Sequence, residues 1–181
     1  MEYDYVVVGA YFKRSEDNER GADAYHRVGG PLHVSDSRAM SHVVDVVVEA
    51  AVEAGHELNP DFNGAAQLGF GRFQLTQHDG LRWSAADGFL RPALGRNLTV
   101  ITDSLALRVL FDGDRATGVE IGAGGEVSRL RATREVVLSA GTYGSPQLLL
   151  LSGVGPAAEL TAFGIPVVED LPVGEGLQDH L

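Results

Sequence analysis

An α/β fold of mixed α+β content is predicted by three features of the 181-residue sequence. The first is an apolar run, Glu135-Val136-Val137-Leu138-Ser139-Ala140, that leads into Gly141-Thr142-Tyr143-Gly144-Ser145-Pro146-Gln147-Leu148-Leu149-Leu150-Leu151-Ser152-Gly153-Val154-Gly155. Strand, small-residue turn and helix in that order present backbone N–H groups to a nucleotide. The second is another apolar run, Tyr3–Ala10, that ends in Gly9-Ala10 like the first strand of a dinucleotide-binding unit. The third is a run of short alternating segments over residues 97–140, which reads as a β-meander.

Taken in order, Tyr5-Val6-Val7-Val8 is the first predicted strand. A full glycine-rich fingerprint would continue past Gly9, but Tyr11-Phe12-Lys13-Arg14-Ser15-Glu16-Asp17-Asn18-Glu19-Arg20 carries none of the remaining glycines. The acidic cluster at 16–19 reads as a solvated face. Residues 21–40 read as loop, broken most clearly at Gly29-Gly30-Pro31. From Ser41 to about Leu58 the spacing predicts a helix, capped by Ser41, ended by Gly55, with Val43, Val44, Val47, Ala51 and Ala54 on one buried face. Asn59-Pro60-Asp61-Phe62-Asn63-Gly64 is turn chemistry, and Gly69–Gln77 alternates as a strand. Ser84-Ala85-Ala86-Asp87 has capping-box spacing and starts a helix that Pro92 limits.

In the meander, Asn97–Thr102, Leu105–Phe111, Ala116–Ile121 and Val127–Ala132 read as strands, with turns at Asp112-Gly113 and Gly122-Ala123-Gly124-Gly125. Glu135–Ser139 is a buried parallel strand, expected to lie beside Tyr5–Val8. Ser145 and Pro146 open the next helix and Gly153 closes it. Pro156–Phe163 is a short helix ended by Gly164, and Ile165–Val168 is extended.

Composition limits the function classes. With 44% hydrophobic and 22% charged residues the chain is an ordinary globular protein large enough for a core. Its net charge of -11 opposes binding to nucleic acid or anionic membranes. The absence of cysteine excludes disulfides, thiolate metal sites and thiol nucleophiles. No span or basic leader is evident, so a cytoplasmic location is expected. His26, His33, His42, His56, His78 and His180 show no metal-ligand spacing, and His180 beside Asp179 is assigned a structural or solvent role. Ser145 lacks the Gly-x-Ser-x-Gly frame of a nucleophile elbow, and capping accounts for it.

The fifteen residues 141–155 resemble the second signature of the glucose-methanol-choline (GMC) flavoprotein oxidoreductases. Gly174-Glu175-Gly176-Leu177-Gln178-Asp179-His180 is similar to another segment of that family, with Gly176 in place of its usual Asn. Trp83–Asp87, Leu90–Ala93 and Tyr11–Asp17 look like pieces of its substrate-side region. The resemblance implies a partial FAD-binding Rossmann-like sheet with a β-meander plus part of a GMC substrate domain. It apportions the chain as residues 1–10, a remnant first strand; 11–96, a partial substrate-side region; and 97–181, the meander, strand and second signature.

The resemblance further implies FAD as cofactor and a small-molecule alcohol as substrate, oxidised at its CH–OH group. It assigns cofactor contacts to Gly9, Ala10, Ala106, Ala140, Gly141 and Thr142. No catalytic residue is assigned, because the family's His base belongs to a C-terminal segment not found in these 181 residues. The joining of Ala10 to Tyr11, where the family has a long insertion, suggests an internally deleted, C-terminally truncated relative with little or no turnover. Exposed sheet edge is expected to promote self-association. Two alternatives stay open: a non-catalytic remnant that binds a full-length relative, and a cofactor-free folded domain.

Overall fold

The computed structural model describes residues 11–179. Its internal contacts divide the chain into two compact units, Met1–Thr99 and Val100–Leu181. The expected strand Tyr5–Val8, the contacts at Gly9 and Ala10, and His180 lie outside the described residues.

In the first unit, residues 11–15 are helical and lead into strand β1, Glu16–Asn18. It pairs in parallel with β2, Leu32–Asp36, which pairs antiparallel with β3, Gln74–Leu75. Two expectations are corrected here. The 16–19 cluster is no solvated face, because Asn18 is buried and Glu16 turns toward His26. The 21–40 segment is not all loop, because β2 finds a partner on each side. Strands β4, Gln77–His78, and β5, Leu81–Arg82, form a hairpin. Its two turn residues, Asp79 (φ 49°) and Gly80 (φ 76°), both have the positive φ a tight hairpin demands. The predicted strand Gly69–Gln77 is reduced to β3, β4 and an isolated bridge between Leu58 and Phe70. Gly69, at φ 124°, takes the chain out of strand geometry.

Helix α1, His42–Glu53, starts where predicted, with the Ser41 side chain accepting from the Val43 amide. It ends at Ala54 and turns away at Gly55 (φ 92°), the glycine expected to terminate it, short of the helical pattern's reach to about Leu58. Its buried face also differs from expectation. Ala51 is buried and Val44 and Val48 are half-buried, whereas Val43 and Val47 are 66% and 54% exposed and Ala54 is exposed. Asp45, next to the Val44–Val48 side, is ion-paired with Arg72.

The capping box forms reciprocally. The Ser84 amide donates to Asp87 Oδ2 at 3.0 Å, and the Asp87 amide donates to Ser84 Oγ at 3.4 Å. The chain then makes a π-helical turn, Ala86–Leu90, continuing into the short α2, Arg91–Ala93. Pro92 sits at the start of α2 and does not stop it, since a missing N–H is harmless in a first turn.

The second unit is built on the meander β6 (Leu105–Asp112), β7 (Arg115–Ala123) and β8 (Glu126–Arg131), antiparallel in that order. Its hairpins turn at Gly113 and at Gly124-Gly125. Asn97–Thr102 forms no strand; Asp103, at φ 53°, turns the chain just ahead of β6. Glu135–Ser139 is also not a strand. No described strand pairs with it, and Val137 is 75% exposed. An apolar pattern makes a strand only where a neighbour supplies the ladder.

Helix α3, Gly141–Leu151, packs on β6 and is followed by β9 (Val154–Gly155), α4 (Ala157–Ala162) and β10 (Glu169–Asp170), which pairs parallel with β9. Gly164, at φ 71°, ends α4 as expected. The core of this unit is small: Val109, Leu148, Val154 and Leu160 are its buried apolar residues among those described.

Candidate functional site

Helix α3 begins five residues earlier than the sequence suggested. Ala140 is its N-cap, and Ser145 lies inside it with Pro146. Ser145 still serves the helix start, because its Oγ accepts from the Ala140 amide at 3.0 Å. Gly141 has φ 82°, a conformation that side chains with a Cβ rarely adopt. A Cβ built there would meet nothing within 4 Å. The glycine is therefore required by backbone conformation, and the space beside it is open. Ala140 and Thr142 flank it and are exposed. Ala140 supplies no side-chain cap, which leaves amides of the first turn available to a ligand at the positive end of an eleven-residue helix.

The two halves of the fifteen-residue segment have different work. Gly141 to Ser145 shape the open turn. From Leu148 onward the segment is core. Leu148, Ser152, Gly153, Val154 and Gly155 are buried. A Cβ on Gly153 would strike the Pro166 carbonyl, and one on Gly155 would strike the Leu150 side chain. Ser152 Oγ accepts from the Val109 amide at 2.7 Å and donates to the Leu148 carbonyl at 2.5 Å.

A groove of about 460 Å³ runs along the same helix, lined by Thr142, Tyr143, Gln147 and Leu150 on one side and by residues 174–178 on the other. The two sequence segments that resembled one family thus come together. Gly176, the departure from the usual Asn, has φ 69°. Ala106 lies on β6, an outer strand of its sheet, where it is exposed and next to a register shift. Among the predicted contacts, Ala140, Gly141 and Thr142 are contiguous at the head of α3, and Ala106 is on the strand system against which α3 packs.

The sequence profile described as GMC oxidoreductase matches residues 3–181. The chain belongs to the GMC oxidoreductase family. The oxygen-dependent choline dehydrogenase of Brucella anthropi is 46% identical over 178 residues, which is 98% of this chain and 32% of that protein. The mitochondrial choline dehydrogenase of Homo sapiens is also 46% identical, over 99% of this chain and 30% of its own length. Among solved structures, pyridoxine 4-oxidase from Mesorbium loti superposes with a TM-score of 0.82 at 30% identity, covering 93% of this chain and 33% of that one. An FAD-dependent oxidoreductase from Chaetomium thermophilum superposes at 0.84 with 25% identity, covering 93% of this chain and 32% of its own. This GMC chain spans about a third of the length of these relatives.

The first unit of the GMC chain holds a cluster that sequence reasoning missed. His26 is 8% exposed, with Nδ1 at 2.8 Å from Glu16 Oε1 and Nε2 at 2.9 Å from Asp61 Oδ2. Burial works to lower its pKa, but the hydrogen bonds and charges of Glu16 and Asp61 outweigh it, and the net shift is upward. Asn18 Nδ2 donates to Glu16 Oε1 and to Gln74 Oε1, both at 2.9 Å, closing the network. Nearby, His33 stacks on His78 at 3.9 Å, with Trp83 edge-on to both. No group of three or more His, Cys, Asp or Glu among the described residues is arranged for a metal ion. No described helix is long and apolar enough to cross a membrane.

Proposed function

We propose that this chain is the portion of a GMC flavoenzyme that carries FAD and serves the oxidation of a small alcohol at its CH–OH group. The observation that carries the reading is the Ala140-Gly141-Thr142 turn. Its glycine is held at positive φ beside open space, at the head of a helix whose first turn has no side-chain cap. Such a turn suits a diphosphate-bearing cofactor, because small residues let the ligand approach the backbone amides. In this reading Ala140, Gly141 and Thr142 contact FAD, Ala106 offers strand backbone to it, and Gly9 and Ala10 complete the contacts from the first strand. Residues 11–96 belong to the substrate side, and 97–181 to the cofactor side.

FAD, when bound, supplies an acceptor for the hydride that leaves the alcohol carbon. The hydroxyl proton leaves separately and needs a base. The described part of the cofactor-side unit contains no histidine. As the family resemblance implies, the base is a histidine of the family's C-terminal segment, and a polypeptide of these 181 residues alone is expected to show no alcohol turnover. The 46% identity to enzymes named choline dehydrogenase supports choline or a related alcohol as substrate. The outer strand β8, exposed along its whole length, is where the isolated chain would self-associate. A cytoplasmic location, suited to the acidic composition, belongs to the same proposal.

The test is titration of the purified polypeptide with FAD, read by flavin fluorescence and by absorbance retained after gel filtration. Retained flavin that is lost in Gly141→Val supports the reading. Absence of any binding in the unsubstituted chain and in a longer polypeptide containing it would sink it.

A further inference from the structure

The chain holds four asparagines, and their surroundings set one apart. Asn18 is buried, and its side chain donates to Glu16 and Gln74. Asn59 is buried too. Its Nδ2 donates to the Ala66 and Leu68 carbonyls, and the next residue is Pro60, which has no N–H. Asn97 is exposed but is followed by the branched Leu98. Asn63 alone among the four is both exposed and followed by glycine.

The fold fixes that glycine. A Cβ on Gly64 would lie 2.5 Å from Asp61 Oδ2, so a side chain there would displace a carboxylate that also accepts from His26 Nε2 at 2.9 Å. The turn is fastened on either side of the Asn63–Gly64 bond and loosely at it. Before the bond, Phe62 stacks on Phe73 at 4.5 Å, and the Asn63 amide donates to Asp61 Oδ1 at 3.0 Å. Beyond it, Asn59 holds the Ala66 and Leu68 carbonyls. The Gly64 amide itself reaches the Asp61 carbonyl only at 3.4 Å. That is outside the roughly 2.7–3.2 Å usual for an N–H···O bond. Freeing the Gly64 nitrogen is therefore a small local opening.

We propose that Asn63 is a site of spontaneous deamidation in the folded chain, with the Gly64 nitrogen as nucleophile and water as co-reactant, and that the isoaspartyl product weakens the Asp61–His26 contact. The Gly64 nitrogen gives up its proton and attacks Asn63 Cγ. The N–Cγ bond forms, the Cγ–Nδ2 bond breaks, and Nδ2 departs as ammonia with that proton, leaving a cyclic succinimide. Water then opens the ring at either of its carbonyl carbons. Cleavage at Cγ gives aspartate. Cleavage at the main-chain carbonyl of residue 63 gives isoaspartate, in which the backbone runs through Cβ and Cγ. Nothing is oxidised or reduced; water is consumed and ammonia released. Glycine favours the attack because no side chain shields its nitrogen. Isoaspartate adds a methylene to the main chain two residues from Asp61, inside the turn that sets Asp61 against His26. Flavin binding plays no part in this chemistry.

The purified 181-residue polypeptide is incubated in mildly alkaline buffer, with a urea-unfolded sample beside it to show the intrinsic chemistry of the sequence. Peptide mapping by mass spectrometry follows amide-to-acid conversion at each asparagine, and labelling by an isoaspartyl methyltransferase locates the isoaspartate. The expected result in the folded chain is conversion of Asn63 about tenfold or more faster than of Asn97, with Asn18 and Asn59 unchanged. Conversion of Asn63 in the unfolded sample alone would overturn the proposal, because the fold would then protect the site. So would a folded-state rate no faster than that of Asn97. The structural consequence is read as a melting temperature in acidic buffer, where His26 carries its proton. Asn63→Asp puts the new charge on an unaltered backbone and is expected to melt close to the parent, with the isolated isoaspartyl form lower than both. Equal melting of the two acidic forms would leave the added methylene without effect and overturn that half of the proposal. In His26→Gln the gap between them should shrink, and a gap unchanged there would detach the effect from His26.

Discussion

Ser152 and Val109 are joined by a 2.7 Å hydrogen bond in which the hydroxyl of one accepts from the amide of the other. This fastens the end of helix α3 to the outer strand β6 of the meander. Both residues are buried, so neither group has water to fall back on. Ser152→Ala would leave the Val109 N–H unpaired, at a cost of about 1–3 kcal/mol. The expected outcome is a lower urea midpoint with unchanged slope. An unchanged midpoint would mean that a water replaces the hydroxyl.

Gly141 separates conformation from space. Its φ of 82° makes a side chain strained, by about 1–2 kcal/mol for alanine, while a Cβ built there would meet nothing within 4 Å. Gly141→Ala is therefore expected to lower stability modestly in urea titration, and Gly141→Val by more, because a β-branched residue tolerates positive φ least. Their effects on FAD affinity should diverge: the larger side chain enters the space assigned to the cofactor and weakens binding by about tenfold or more, since 1.4 kcal/mol is already a factor of ten. Equal FAD affinity for the two variants would place the cofactor away from this turn.

Local chemistry was the legible part of this sequence. The Ser84–Asp87 box, the Ser41 cap, the glycine turns of the meander and the Gly141 turn all depend on residues within a few positions of one another, and all formed. Features that depended on distant partners were not legible. Glu16, His26 and Asp61 meet only because β1, a loop and the turn after α1 fold together, so no spacing announced them. The inward face of α1 could not be chosen from an apolar arc about twice as wide as one contact requires. Glu135–Leu138 has a strand's composition, but a ladder needs a second strand that composition cannot supply.

His26 gives the first unit an expected pH response. Its pKa is raised in the folded state from the ordinary 6.5, so the folded form binds the proton more tightly than the unfolded chain. The stabilisation is fully present below pH 6.5 and fades as pH rises through the higher folded value. The groups that face the ring are Glu16 and Asp61, with Asp23 accepting from the His26 amide. Thermal melting from pH 5.5 to 8.5 should fall for the unsubstituted chain over this window, and His26→Gln should flatten that limb. A variant with the same pH slope as the parent would remove His26 from the explanation.

Glu120 should act at the opposite end of the pH scale. It is 9% exposed, with Arg108 bound bidentately to its carboxylate at 3.0 and 3.1 Å and Arg129 adding a third contact at 3.1 Å. The Arg108 hydrogen bonds, then those of Arg129, hold its pKa below the ordinary 4.5. A carboxylate so depressed stabilises the fold above its unfolded pKa and loses that contribution as pH falls through the folded value. Glu120→Gln keeps the shape but removes the charge that both guanidinium groups share. It should lower the melting temperature at pH 7, and lower it less as pH drops below 4.5, until parent and variant converge. A constant difference between them across that range would show that the carboxylate's charge does not bind the three meander strands together.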